Sequence, residues 1–144
     1  MGSNPLIGVW RLVSYEAHDL ENGHVTALYG DHPRGFITYT EGGHMSVVFM
    51  AGEREPVEGN DVQGGPAEQR LKAMDSANAY AGTYDFDGTT VRHHVEVALF
   101  PNWVGSVQTR HPELAGNRLT LSSPPMMRKG RMCTAHLTWE KVEG

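Results

Sequence analysis

Short runs of alternating residue type, each closed by a glycine-bearing turn, constrain this chain more than any other feature. The first run reads Val9 Trp10 Arg11 Leu12 Val13 Ser14 Tyr15 Glu16, with β-branched and aromatic residues on a period of two. That period puts alternate side chains on opposite faces, which suits a strand and not a helix. Similar runs predict strands at 8–17, 24–29, 35–41, 44–50, 80–87, 90–100, 104–111, 117–122 and 131–142. Between them stand Asn22-Gly23, Glu41-Gly42-Gly43, Asp87-Gly88 and Gly116-Asn117. Each suits a tight hairpin, because glycine reaches positive φ at little steric cost. The expected architecture is all-β: a single antiparallel barrel of about eight to ten strands.

One interval departs from the pattern. Residues 51–65 carry Gly52, Pro56, Gly59, Gly64 and Gly65 among several acids and read as a loop. Pro66 and Glu68 are helix-start signals, and Ala67, Leu71, Met74 and Ala77 recur at helical spacing. They predict one short helix at about 66–78, acting either as packed cover or as a lid over the barrel mouth. A second loop, 122–130, sets Met126 and Met127 beside Pro124 and Pro125. These methionines either pack the loop or line a mouth for an apolar ligand.

A chain of 144 residues fits one domain, 1–144. An apolar fraction of 39% suits strands with one wet face. The formal net charge of −5, with no basic cluster, argues against a nucleic-acid partner. The one cysteine, Cys133, excludes an intramolecular disulfide and fits a reducing, cytoplasmic setting. Cys133 shares a strand face with Ala135, Leu137 and Trp139, so it reads as a small buried hydrophobe and not a nucleophile. Residues 1–6 lack the charged and apolar regions of a signal peptide, and no run reaches transmembrane length. Gly2 is not expected to carry a myristoyl group, since Leu6 stands where that motif needs Ser or Thr.

Several polar residues could carry chemistry. On the run from Val91 to Leu99, alternation separates Val91, His93, Val95, Val97 and Leu99 from Arg92, His94, Glu96 and Ala98. A thin barrel has no outer layer, which argues for His93 inside and for His94 with Glu96 in water. The opposite choice would place His94 inside as a base oriented by Glu96. Adjacent His93 and His94 cannot both reach one ion, and no metal-binding spacing is present, so no metal is expected. Arg110 faces either solvent or the interior, where its charge would call for a carboxylate or enolate partner. Gln108 shares its face. Trp103, after Pro101-Asn102, either closes one barrel end or stacks on a ligand. Tyr39, His44 and Ser46 surround one hairpin, where they orient a ligand carbonyl or serve the turn itself.

Taken together, certain stretches resemble a known family. They are Leu6-Ile7-Gly8-Val9-Trp10-Arg11-Leu12-Val13-Ser14-Tyr15-Glu16, then Arg34-Gly35-Phe36-Ile37-Thr38-Tyr39-Thr40-Glu41-Gly42-Gly43-His44-Met45-Ser46. They continue with Tyr80-Ala81-Gly82-Thr83-Tyr84, His93-His94-Val95-Glu96, Pro101-Asn102-Trp103-Val104-Gly105 and Leu137-Thr138-Trp139-Glu140. The chain is similar along nearly its whole length to the lipocalin-like domain family of bacteria and fungi. The resemblance implies a barrel whose closed end is plugged by Trp10, and an interior that takes an apolar molecule. Some barrels of comparable build act as cofactor-free cyclases or isomerases. On that reading the catalytic candidates are His93, His94, Glu96, Arg110 and Tyr39. The ligand-contacting candidates are Trp10, His44, Ser46, Trp103, Gln108 and, if the helix is a lid, Met74. No cofactor is expected. The expected partner is a small apolar or amphipathic molecule, neither nucleic acid nor membrane, with a homodimer left open. The alternative function is a pure carrier that performs no chemistry.

Overall fold

The first and last strands of the chain lie side by side. β1 (Gly8–Asp19) pairs antiparallel with β10 (Arg131–Glu143), from Val9 opposite Glu143 to Asp19 opposite Cys133. That pairing closes a sheet whose other members are β2 (Val25–Ala27), β3 (Arg34–Tyr39), β4 (His44–Met50), β5 (Ala77–Phe86), β6 (Val91–Ala98), β7 (Val107–Ala115), β8 (Arg118–Ser122) and β9 (Met126–Arg128). The sheet holds 10 strands in the order β2-β1-β3-β4-β5-β6-β7-β8-β10-β9. Eight of them form the closed antiparallel barrel. The other two, β2 and β9, flank the stretch of β1 and β10 that runs on past it. This is a computed structural model and describes residues 4–144. Gly2, considered above for lipid attachment, lies outside them.

Alternation becomes burial most plainly on β4, while bulges reverse it within β1 and β6. On β4, Met45, Val47 and Phe49 are buried while His44, Ser46 and Val48 are exposed. The interior collects Trp10, Trp139, Tyr39, Ile37 and Leu119, each almost wholly out of water. Burying a large apolar side chain contributes about 1.5–3 kcal/mol relative to leaving it exposed. One end of the barrel is closed by short turns and by the start of the chain. There the Trp10 indole N–H donates to the Leu6 carbonyl at 2.9 Å. The Tyr84 hydroxyl donates to the Thr40 carbonyl at 2.7 Å and accepts from the Asn4 amide at 3.0 Å. Trp10 thus sits at the closed end.

The other end carries the long connections. The helix α1 spans Ala67–Asp75, shorter than the expected 66–78. Ala77 and Asn78 instead open β5, paired with Met50 and Phe49, so sheet hydrogen bonds override local helical spacing there. No residue of α1 is buried, and Leu71 is 62% exposed, so the apolar stripe read from the sequence does not pack as a core face. Arg54 holds the helix end instead, donating to the Ala73 carbonyl and to Ser76 Oγ, each at 2.9 Å. The strand expected at 104–111 is displaced to Val107–Ala115, because Pro101–Trp103 forms a 3-10 turn. Pro101 has no N–H for a sheet ladder, which favours the turn. The expected loop 122–130 contains the short strand β9, joined to β10 through Lys129 and Gly130 at φ 49° and 78°. Among the described residues no helix is long and apolar enough to cross a membrane.

Candidate functional site

His93 turns inward from β6 and is 1% exposed. It is held at both ring nitrogens. The Tyr39 hydroxyl, from β3, lies 2.6 Å from Nε2, and the Tyr80 hydroxyl, from β5, lies 2.8 Å from Nδ1. Burial drives the imidazole pKa down to about 3, helped by the nearby charge of Arg110 and then by His94. The ring is therefore neutral at physiological pH. Burial also raises both tyrosines, Tyr39 well above the usual phenol range. All three groups are uncharged hydrogen-bonding partners in a buried core.

Beside them is a small internal cavity of about 40 Å³. Its apolar wall includes Ile37, Val47, Phe49, Leu121 and Leu137. Its polar lining includes Tyr80, His93, Arg110 and Trp139, with Tyr15, Asn78, Trp103 and Met126 toward the end that carries the long connections. Arg110 is half-buried on β7, opposite Val91, and among the described residues donates only to the Thr109 carbonyl at 2.8 Å and Gln108 Oε1 at 3.4 Å. Among the described residues it has no carboxylate partner within ion-pair distance. Trp139, 1% exposed, is the one described residue with a buried side-chain N or O atom lacking a hydrogen-bond partner; that atom is its indole Nε1. The cavity therefore has donors and a positive charge but no carboxylate.

The remaining candidates lie elsewhere. His94 stands on the outer wall with Nε2 2.6 Å from Asp85 Oδ2, and Glu96 is exposed on the same outer face. The inward His94–Glu96 arrangement does not occur, because β6 buries Val91, His93 and Val95. Past Glu96 the bulge reverses the expected alternation, leaving Val97 62% exposed and Ala98 packed against the core. His44 and Ser46 also face outward, since β4 buries Met45 and Val47 in the alternate positions. Trp10 fills the closed end and does not line the cavity. Met74 borders a surface cleft with Leu99 and Arg54, and no α1 residue lines the cavity. Gln108 lies opposite His93 and braces Arg110. Trp103 does line the cavity, with its ring edge-on to Tyr80 at 5.5 Å. Of the two loop methionines, Met126 lines the cavity and Met127 is 62% exposed. Cys133 is buried against Ala17 and Leu28.

Sequence reading did not single out Tyr80, Trp139 or Tyr15 for the site. The faces of Tyr80 and Trp139 follow from alternation, but not which residues from distant strands meet them. Tyr15 turns inward only because a bulge between Leu12 and Ser14 reverses the parity of β1. A roomier cleft of about 860 Å³ lies outside the barrel, between the Tyr29–Arg34 segment and α1. Its walls are mainly solvated side chains, without the enclosure that gives hydrogen bonds and charges their strength in the interior. Among the described residues no cluster of three or more potential metal ligands occurs.

The family described as lipocalin-like domain matches residues 7–142 of the chain. A protein of Aspergillus oryzae (strain ATCC 42149 / RIB 40), the 4'-hydroxy-3'-methoxypropiophenone carrier protein ppsC, is 33% identical over 107 residues. That match covers 68% of this chain and 96% of the relative.

Proposed function

This chain belongs to the lipocalin-like domain family, and from that premise we propose that its barrel carries a small apolar or amphipathic organic molecule in its interior. The observation that supports this most directly is the internal cavity, apolar on most of its wall, with a few convergent polar groups at Tyr80, His93, Arg110 and Trp139. That is the composition of a small-molecule site. The carrier relative supports an aromatic ketone as the first ligand to try.

At about 40 Å³ the cavity holds little more than water, far below the ~300 Å³ at which sites for drug-sized ligands begin. Loading therefore requires side chains at the mouth to move. Met126 is suited to this, being unbranched and on the short edge strand β9. The one cysteine fits work in a reducing compartment, which we place in the cytoplasm.

Two of the three tryptophans, Trp103 and Trp139, line the cavity, so their emission reports occupancy. Titration with 4'-hydroxy-3'-methoxypropiophenone and with a fatty acid should quench that emission and raise the melting temperature. A ligand at 100 times its Kd stabilises by about 2.7 kcal/mol. If neither compound changes emission or melting, the container reading fails.

A second reading has the barrel act on its ligand, as a cofactor-independent isomerase or cyclase. Its support is the Tyr39–His93–Tyr80 chain with Arg110 alongside, donors placed where a developing enolate oxygen could be held. In this reading Arg110 and Tyr80 hold the oxygen, and neutral His93 with Tyr39 orients Tyr80. His94 and Glu96, on the outer wall, take no part. Deuterium uptake at the carbon next to a bound ketone, lost in Arg110→Gln, would support it. Binding without exchange leaves the carrier alone.

A further inference from the structure

The hydrogen-bond inventory of the cavity fixes which way its protons point. A neutral imidazole has one N–H donor and one acceptor nitrogen. Among the described residues the Tyr39 hydroxyl has one partner, His93 Nε2, and it lies in the core behind the cavity, not on its wall. Were Nε2 protonated, the Tyr39 hydroxyl hydrogen would have no acceptor, at a cost of about 1–3 kcal/mol. Tyr39 therefore donates to Nε2, and Nδ1–H donates to the Tyr80 oxygen. The Tyr80 O–H is then left over, and Tyr80 lines the cavity.

Three residues with spare donors thus line one small space: Tyr80 with its O–H, Trp139 with its orphaned Nε1–H, and Arg110 with its guanidinium. Arginine keeps its charge across the working pH range. The titratable or charged groups on the cavity wall are Tyr15 from β1, Tyr80 from β5, His93 from β6 and Arg110 from β7, with Tyr39 from β3 behind His93. The cavity residues on β4, β8 and β10 are Val47, Phe49, Leu121, Ala135, Leu137 and Trp139, none of them charged. Arg128, on β9, adds a second positive charge near Tyr15. The Asn78 side-chain oxygen is already taken by the Ala79 N–H at 2.9 Å. In a chain of formal net charge −5, this interior carries a positive charge and no carboxylate, and its spare donors outnumber its acceptors, the Tyr15 hydroxyl being able to serve as either.

The geometry points to a ligand that is a weak organic acid bound as its oxyanion, a phenolate, enolate or carboxylate, with the charged oxygen inward against Arg110, Trp139 and Tyr80. The acid's proton passes to solvent on binding, and the anion supplies the counter-charge that Arg110 lacks. This deepens the carrier reading and rests on it.

The test uses the full chain and two probes of nearly equal shape, 4-nitrophenol and its neutral methyl ether 4-nitroanisole. The ionisation of 4-nitrophenol is read from the visible absorption of its phenolate. Bound 4-nitrophenol should ionise at least one pH unit lower than in free solution, which means that phenolate binds at least about tenfold tighter than phenol. Arg110→Gln should lose most of that shift and Arg110→Lys should keep much of it. Tyr80→Phe and Trp139→Phe each remove one donor while keeping aromatic bulk, and each should reduce the shift. Should Arg110→Gln not fold, these two variants carry the test. Binding of both probes with no shift, or a shift unchanged in all of the folded variants, overturns the oxyanion assignment and leaves the container intact. Failure of both probes to bind or to perturb tryptophan emission overturns both readings.

Discussion

At the residue scale the two buried tryptophans of the core do different work. Trp10 closes the barrel end and its N–H is satisfied by the Leu6 carbonyl. Trp139 is equally buried but its N–H is orphaned beside the cavity. Losing a buried donor that had a partner strands the acceptor, whereas losing an orphan removes a penalty of about 1–3 kcal/mol. Trp10→Phe should therefore destabilise by about 2 kcal/mol through lost volume and a lost bond. Trp139→Phe should lose less than about 1 kcal/mol, its lost volume offset by the relieved donor. Urea unfolding of the unliganded protein measures both. Equal losses would mean that the Trp139 N–H is satisfied in solution.

At the element scale the site depends on a bulge. The β5–β6 register shifts between Ala81 and Gly82. At Gly82 an added Cβ would run into the His94 carbonyl oxygen, so only glycine permits this approach of the two strands. The irregularity lies between Tyr80 and Tyr84, whose side chains both turn inward, and Tyr84 sits directly opposite His93. Gly82→Ala must push the strands apart or abandon the bulge. It should cost about 2 kcal/mol or more and weaken 4-nitroanisole binding, as Tyr80 loses its seat on His93. Unfolding and probe titration on the same variant check this; wild-type stability would show that the bulge relaxes freely. The helix is an element of another kind. With no buried residue and Arg54 as its clasp, α1 spans the gap between β4 and β5 beside the mouth, without lining the cavity.

For the whole molecule, the buried imidazole links stability to pH. His93 titrates at about 3 when folded, against 6.5 as the ordinary value expected on unfolding. Between those values the unfolded chain holds a proton that the folded chain does not. Stability from this group is therefore complete above about pH 6.5 and lost as pH falls toward 3. The slope approaches about 1.4 kcal/mol per pH unit within that window. Asp19, Asp85 and Asp87, held low by hydrogen bonds and by Arg131 or Arg92, add acid sensitivity of the same sign at lower pH. The share due to His93 is isolated by unfolding wild type and His93→Gln at pH 7 and pH 4.5. The wild type should lose about 2–3 kcal/mol more than the variant over that interval. An equal loss in both would place a charged or solvated imidazole in the barrel.

The chain's own residues determined most of the strands and hairpins, and the inward or outward parity of side chains between bulges, because a pleated strand has a period of two. Where a bulge adds a residue, at Val13 on β1 and Glu96 on β6, the parity reverses and Tyr15 and Ala98 turn inward. Val91, His93 and Val95 inside, with Arg92 and His94 outside, could be written from the order of residues once a thin wall was assumed. Local order also marked Pro66 as a helix start, but not where α1 stops, since Ala77 and Asn78 are claimed by pairing with β4. It did not foresee β9, which depends on Lys129 adopting positive φ. The site was legible one strand at a time and not as a place. Tyr39, Tyr80, His93, Arg110 and Trp139 come from five strands, and their meeting depends on shear, on the bulge at Gly82 and on closure of β1 against β10. Only the closed barrel decided that Arg110 faces inward without a carboxylate and that the Trp139 N–H has no partner. A strand's period says which face a residue takes; the stagger between strands, set by every pairing at once, says what it faces.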